Sequence, residues 1–326
     1  MKNPQSRIQN PQSDVPNSQS PFAKAAADKS EIRTPHSALG SPKSEIRNPQ
    51  SEIDRFDLKR LARRLEPLSL GHPLYYFEDI ASTNSFLCAL PPEQRCHGAL
   101  ALTEHQSAGR GRFGRIWSDA PGLSLLFSLV LDAVRDGVEA STADWPLLTL
   151  GAAVAVCRTL ETHGVVQPRI RWPNDILIGE RKVCGILTEH AESRGGAHSR
   201  KVLVLGIGLN VHQTVEDFPP PLRDTAGSLR IAADRPWKRE DLLVAFLGRF
   251  EKLYGQWREG HGETILADCR RHMSTLGRPV YLHSHGRRIE GVVMDLDRDG
   301  SLVLREPTGI VSRWHSGDVE ETQWGK

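Results

Sequence analysis

The residues best able to do chemistry lie in a few short clusters. In Gly109-Arg110-Gly111-Arg112-Phe113-Gly114-Arg115, glycines and arginines interleave after an apolar run and before Trp117. Glycine lets a backbone approach a ligand closely, and the arginine fork matches phosphate and carboxylate oxygens. The segment lacks the Gly-Lys-Ser/Thr ending of a Walker A loop and the strand-to-helix setting of a G-x-G-x-x-G fingerprint. An Arg/Gly-rich RNA-binding segment or a mobile loop remains the alternative. In Arg171-Trp172-Pro173-Asn174-Asp175 a proline interrupts an apolar strand pattern, marking an edge, a bulge or a plain turn. Asn174 and Asp175 can there present an amide and a carboxylate to a ligand or a magnesium ion.

Lys182 precedes the apolar run Val183-Cys184-Gly185-Ile186-Leu187. It can deliver a compact positive charge to a transferring group, or simply start a strand after a hairpin at Gly179-Glu180-Arg181. Gly206-Ile207-Gly208-Leu209-Asn210 ends a β-branched run. Paired glycines allow a planar ligand to lie on the backbone, with Asn210 reading a base edge or ribose; a sheet-edge bulge is the alternative. Ser82-Thr83-Asn84 has the form of a helix N-cap. His272, His283 and His285 lack partners at metal spacing.

The elements that must position these clusters divide the chain into three zones. Residues 1–53 repeat Asn-Pro-Gln-Ser at Asn3, Asn10 and Asn48 and Lys-Ser-Glu-Ile-Arg at Lys29 and Lys43, with isolated apolar residues. Such a tract cannot bury enough surface to offset its ordering entropy, so a disordered tail is expected. Residues 54–275 read as globular. Leu58, Leu61, Leu65 and Leu68 recur at helical spacing, and Trp145–Leu160 and Asp241–Arg258 read as longer helices. β-type runs cover 74–77, 99–104, 123–131, 169–178, 184–189 and 202–211. Without regular βαβ alternation this predicts an α+β sheet domain. Residues 276–326 read as a tight meander of short strands, with turns at Asp297–Gly300 and Glu306–Gly309.

Composition narrows the function classes. A net charge of +2 gives no broad basic field for nucleic acid or anionic membrane. Five scattered cysteines without a C-x-x-C pair argue against a disulfide framework or a zinc site and suit a reducing compartment. With no signal-peptide h-region and no spanning apolar run, a cytosolic protein is expected.

Taken in order and spacing, Ser82-Thr83-Asn84, Gln106 ahead of Gly-Arg-Gly-Arg, Trp-Pro-Asn-Asp, Lys-x-x-Gly-Ile-Leu and Gly-x-Gly-x-Asn resemble the biotin protein ligases, from about Leu74 to Trp314. The resemblance implies a mixed β-sheet catalytic domain of class II aminoacyl-tRNA-synthetase-like type and a small C-terminal SH3-like β-barrel. It implies that biotin is activated by ATP and Mg²⁺ as biotinyl-5′-AMP. Biotin then passes to a lysine of a biotin carboxyl carrier protein domain of a biotin-dependent carboxylase. Ser82, Thr83 and Gln106, with backbone around Arg110, would meet the ureido group, whose urea needs both donors and acceptors, and Asn84 and Gly111 would also bind biotin. Gly185, Ile186 and Leu187 would wall the bicyclic ring and valeryl chain, with Gly206 also in contact with biotin. Arg112 and Lys182 would act catalytically at the carboxylate and α-phosphate, and Trp117, Asn174, Asp175 and Asn210 would face the nucleotide. The Gly109–Arg115 loop would be a lid, mobile until ligand orders it.

Two departures matter. Position 171 is Arg where many relatives carry Lys, replacing a point charge by a planar fork. Some relatives carry an N-terminal winged-helix domain and repress transcription, whereas residues 1–53 show no helix-turn-helix spacing; the ligase-only type, without a DNA or membrane partner, is expected. A homodimer is compatible with this reading. The competing readings are a lipoate or octanoate protein ligase and, from another class, an Arg/Gly-mediated nucleic-acid-binding module.

Overall fold

In antiparallel strands alternate side chains point to opposite faces, and here that alternation separates core from site. The computed structural model describes residues 32–33, 54–132, 145–192 and 201–321. Strands β1 (Ile32–Arg33), β2 (Leu74–Phe77), β3 (Leu100–Thr103), β4 (Ser124–Asp132), β5 (Arg169–Arg171), β6 (Asp175–Ile178), β7 (Arg181–Glu192) and β8 (Lys201–Asn210) form one sheet in the order β1-β2-β3-β4-β8-β7-β6-β5. β1, β2 and β3 run parallel and the other neighbours antiparallel. Leu125, Phe127, Leu129 and Leu131 of β4 and Leu203, Leu205, Ile207 and Leu209 of β8 enter the main core. The intervening positions of β4 and β8 include Ser128, Gly206, Gly208 and Asn210, the polar and small residues that motif reading singled out or passed over.

The core face is covered by α1 (Leu58–Leu65), α3 (Trp145–Thr162), α4 (Arg239–Arg258) and α5 (Gly262–His272), whereas α2 (Thr83–Ala89) packs on the opposite face, where Leu87 joins Tyr75, Val130 and Val204. α1 starts on Asp57, whose side chain accepts from the Arg60 N–H at 3.0 Å. α4 begins two residues before the apolar stripe because Arg239, fully buried, is held by Asp54 at 3.0 Å and Glu104 at 2.7 Å. α5 was not foreseen: Ile265, Leu266 and Cys269 are its only buried apolar residues, too few to show a period.

The C-terminal strands are β9 (Pro279–Ser284), β10 (Arg287–Leu296), β11 (Leu302–Arg305), β12 (Val311–Trp314) and β13 (Asp318–Glu321), antiparallel in the order β12-β11-β10-β9-β13. Their Val280, Leu282, Val293, Leu302, Leu304 and Val319 share the main core with α3 and α5. A hydrogen bond from Trp172 Nε1 to Gly300 O, 3.0 Å long, ties the two sheets together beside the Trp-Pro-Asn-Asp segment. Among the described residues, no helix is long and apolar enough to cross a membrane.

One expectation changes. Arg169–Ile178 is not one strand but a hairpin of β5 and β6, with Trp172–Asn174 at the turn and a cis Trp172–Pro173 bond. Turn and ligand-facing segment are therefore the same residues. β13 carries a single apolar residue, Val319, and left no strand signature. The tail expected to be disordered lies outside the described residues except for Ile32–Arg33, which pairs in parallel with Leu74 and Tyr75. A two-residue pairing needs only backbone and leaves no pattern to read.

Candidate active site

The site face of the sheet, the start of α2, the loop after β3, the β5–β6 turn and the segment after β8 enclose a cavity of about 400 Å³. All the residues assigned to biotin, nucleotide or catalysis from the sequence line it. At one end sits a buried polar network. Ser82 caps α2, its Oγ accepting from Ser85 N at 3.4 Å. Gln106 Oε1 accepts from Thr83 N at 2.9 Å and lies 3.1 Å from Thr83 Oγ1. Thr83 Oγ1 lies 2.6 Å from Ser128 Oγ, which donates to Asn84 Oδ1 at 2.5 Å. Asn84 Nδ2 donates to Leu187 O at 3.2 Å and to Glu189 Oε2 at 2.8 Å, and Arg110 Nη2 meets the same carboxylate oxygen at 2.8 Å.

Proton counting orients this network. Asn84 Oδ1 only accepts, so the Ser128 proton is committed to it, and the Thr83 hydroxyl proton goes to Ser128 or Gln106. Gln106 Oε1 is occupied by Thr83 N, which leaves the two Nε2 protons as the donors Gln106 has to offer. Gly206 leaves room for this amide, since a Cβ there would lie 2.1 Å from Asn84 Oδ1 and the side chain would have to shift.

The other end is cationic. Arg112, Arg115, Arg171 and Lys182 line the cavity there against two carboxylates, Asp175 and Asp318. Lys182 Nζ lies 2.7 Å from Asp175 Oδ1, and Arg171 Nη2 lies 2.8 Å from Asp175 Oδ2. Burial alone would raise the Asp175 carboxyl, but Lys182 and Arg171 override it and hold it below the usual carboxylate range. Arg171 keeps the charge of the commoner Lys and spends part of its fork on Asp175. Asn174 is held by Ile186, through Asn174 Nδ2 to Ile186 O at 2.8 Å.

Between the ends, Trp117 spans β7 and β8. Gly185 and Gly208 are cross-strand partners, and a Cβ on them would lie 2.9 Å and 2.6 Å from the Trp117 ring. The Lys182 ammonium sits 5.7 Å from the ring centroid. Trp117 Nε1 is buried and has no hydrogen-bond partner. Leu187 adds apolar wall, and Ile186 lines the cavity while also belonging to the main core.

The Gly109–Arg115 loop is fastened rather than open. Gly111 N donates to Arg115 O at 2.7 Å, and Trp117 N to Gly109 O at 2.9 Å. Arg112 Nη1 donates to Asn174 Oδ1 and to Gly317 O, both at 3.1 Å, and lies 3.6 Å from Asp318. Arg115 pairs with the same Asp318. Burial draws the Arg112 guanidinium below its ordinary value while Asp318 and Asp175 oppose that. The expected lid is thus clasped by groups of the protein, among them Gly317 and Asp318 at the start of β13.

Asn210 also differs from expectation. Its Nδ2 donates to Gly227 O at 2.9 Å, so it braces the segment after β8 that lines the cavity, rather than offering that donor to a base or ribose. Sequence reading missed Ser128, Asp318, and the pair His105–Asp119 at the root of the loop. Asp119 Oδ2 contacts His105 Nδ1 at 3.0 Å and accepts from Gln106 N at 3.4 Å, which raises His105 above its ordinary value through the hydrogen bond. A His and an Asp flanking the loop were visible in the sequence, but their meeting was not.

Comparison with known proteins agrees with this geometry. The chain matches the Biotin/lipoate A/B protein ligase family over residues 76–210 and the Biotin protein ligase C terminal domain over residues 275–320. It is 33% identical over 252 residues to the bifunctional ligase/repressor BirA of Bacillus subtilis, covering 77% of this chain and 74% of that one. It is 32% identical over 211 residues to the biotin–[acetyl-CoA-carboxylase] ligase of Mycobacterium tuberculosis, covering 64% and 73%. The Aquifex aeolicus biotin protein ligase solved with biotin and ATP shares the fold, at a TM-score of 0.65 and 24% identity over 76% of this chain and 98% of that one. On these matches the chain belongs to the biotin protein ligase family.

Proposed function

We propose that this chain is an ATP-dependent biotin protein ligase that forms biotinyl-5′-AMP and transfers biotin to a lysine of a biotin carboxyl carrier domain. The observation that carries this reading is the two-ended cavity. A neutral network of Thr83, Asn84, Gln106 and Ser128 lies at one end, the cations Arg112, Arg171 and Lys182 at the other, and a short apolar wall between. Biotin has that polarity, a urea at one end and a carboxylate at the other. Gln106 Nε2 supplies a donor for the ureido oxygen, and hydroxyls and backbone nearby supply acceptors for its N–H groups. A flexible lipoyl or octanoyl chain would leave those buried polar groups without partners, at a cost.

In the first step a biotin carboxylate oxygen attacks the α-phosphorus of ATP and the bond to the pyrophosphate oxygen breaks. Two anions approach, so the barrier is electrostatic, and Arg112 and Lys182 neutralise charge growing on the phosphoryl oxygens. Trp117, seated on the Gly185–Gly208 pair, offers its ring to the nucleotide, and Asn174 and Asp175 fix the cations. Among the described residues, no three His, Cys, Asp or Glu converge, and both Asp175 oxygens already face cations. The donors present therefore fit a Mg²⁺ carried by the phosphates of ATP, which supplies charge neutralisation there. In the second step a neutral lysine amine attacks the anhydride carbonyl, the acyl–oxygen bond to AMP breaks, and the ammonium proton passes to solvent.

The finer features of this reading follow the family. The catalytic sheet is read as class II synthetase-like, the C-terminal sheet as an SH3-like barrel, and the protein as a cytosolic ligase without a repressor function. The nucleic-acid alternative is weakened because Arg110, Arg112 and Arg115 turn to Glu189, Asp318 and the cavity, not to a continuous basic face. Calorimetric titration tests the choice of acid. Biotin should bind with measurable heat and lipoate should not; equal binding of both would make this a general acyl ligase.

A further inference from the structure

The loop that closes the cationic end carries large apolar side chains pointing to water. Phe113 is 63% exposed and Ile116 is 81% exposed, while Leu222, on the segment after β8 that borders the same cavity, is 40% exposed. Phe113 also holds a left-handed backbone, φ 56°. That region is costly for a bulky residue, and glycine or asparagine would occupy it more easily. The Arg112 guanidinium lies over its ring, 4.7 Å from the centroid. Stability accounts for neither the exposure nor the strain, and such a combination beside a site points to function.

The reaction proposed above, on which this inference rests, needs a macromolecular second substrate whose lysine must enter at this loop. We propose that Phe113 and Ile116, with Leu222 beside them, form the docking surface for the acceptor protein domain. The acceptor surface that fits is apolar next to its lysine and acidic around it. Arg115 stands at the same rim with its side chain 66% exposed, and although it pairs with Asp318 the cavity lining keeps its cationic excess. Docking there would seat the acceptor against the residue next to Arg112, so that the amine arrives where the anhydride is held.

The test separates docking from chemistry. Phe113→Asn removes the ring while keeping a residue that tolerates the left-handed backbone, and Ile116→Thr keeps the β-branch. With a purified biotin carboxyl carrier domain as acceptor, the double variant should show biotin-dependent pyrophosphate release within about twofold of wild type. Its KM for the acceptor should rise roughly tenfold or more, the usual scale for losing an aromatic anchor. Discharge of the adenylate to hydroxylamine should not change, and Phe113→Leu should keep most of the wild-type acceptor KM. An unchanged acceptor KM in the double variant overturns the proposal. So does an equal slowing of adenylate formation and transfer, which would place the loop tip in the chemistry. Loss of self-association with the acceptor KM intact would assign the surface to a second copy instead. Failure of the wild-type chain to release pyrophosphate on adding biotin would remove the ligase reading itself, a result distinct from all of these.

Discussion

Replacing Gly206 by Ala should break the polar end of the site through Asn84, and the size of the effect can be worked out. The new Cβ would lie 2.1 Å from Asn84 Oδ1, 2.8 Å from Cγ and 3.0 Å from Nδ2. The amide is short and held on three sides, by Ser128, Leu187 O and Glu189, so it must leave rather than bend. Two neutral hydrogen bonds at about 1 kcal/mol each and one to a carboxylate at about 1.5–3 kcal/mol give a gross loss of roughly 3–5 kcal/mol. Glu189 keeps Arg110 as a partner, and alanine restrains the unfolded chain by about 0.5–1 kcal/mol relative to glycine, so the net loss should be roughly 2–3 kcal/mol. Asn84→Ala removes the same bonds and also empties the space the Cβ needs. The double variant should therefore be no less stable than Asn84→Ala, a coupling of about 2–3 kcal/mol in a double-mutant cycle. Urea unfolding of the wild type, both single variants and the double variant measures it, with biotin titration alongside. Additive losses would show that Gly206 is not small for the sake of Asn84, and the packing argument for this end of the cavity would fall.

Lys182→Ala should slow single-turnover adenylation by roughly 10²–10³-fold, the scale for one preorganised charge-stabilising group, and lower biotin affinity less; a near-normal rate would reduce Lys182 to a strand residue. Arg112→Gly should still make biotinyl-5′-AMP but lose it roughly 10–150-fold faster, from charge-assisted bonds worth about 1.5–3 kcal/mol at 1.4 kcal/mol per tenfold. Asp318→Ala should reproduce part of that loss by freeing the clasp. The adenylate off-rate and stray labelling of a bystander protein read both, and unchanged values would remove the clasp. His105 is raised from 6.5 by its hydrogen bond to Asp119, so the stability it contributes is complete below about that pH and disappears as pH rises through the folded value. Unfolding free energy followed from mildly acidic to alkaline pH should show that fall, and Asp119→Asn should flatten it; a fall of equal size in the variant would assign it elsewhere.

What could be read from the sequence were local devices. Glycine and arginine runs, Trp-Pro-Asn-Asp and the glycine pair ending β8 announce themselves within five to seven residues, and all proved to line one cavity. The apolar face of α4 and the Ala- and Leu-rich run of α3 were equally plain. What could not be read depends on distant residues meeting. Asp318 reaches Arg115 across 203 positions, and nothing in Gly317-Asp318 marks it as part of a loop clasp. Ser128 is one serine among several in a β run, and only its register opposite Gly206 brings it to Thr83 and Asn84. Asn210 fits a nucleotide contact by type, yet the segment after β8 folds back and takes its donor. The hairpin of β5 and β6 was hidden because apolar residues continue on both sides of its turn.

The central claim is that this cavity joins biotin to the α-phosphate of ATP, and biotin-dependent exchange of labelled pyrophosphate into ATP measures that step without any carrier protein. Exchange should require biotin and Mg²⁺, be absent with lipoate or octanoate, and fall by orders of magnitude in Lys182→Ala. Exchange that proceeds without biotin, or as fast with lipoate, would contradict the account.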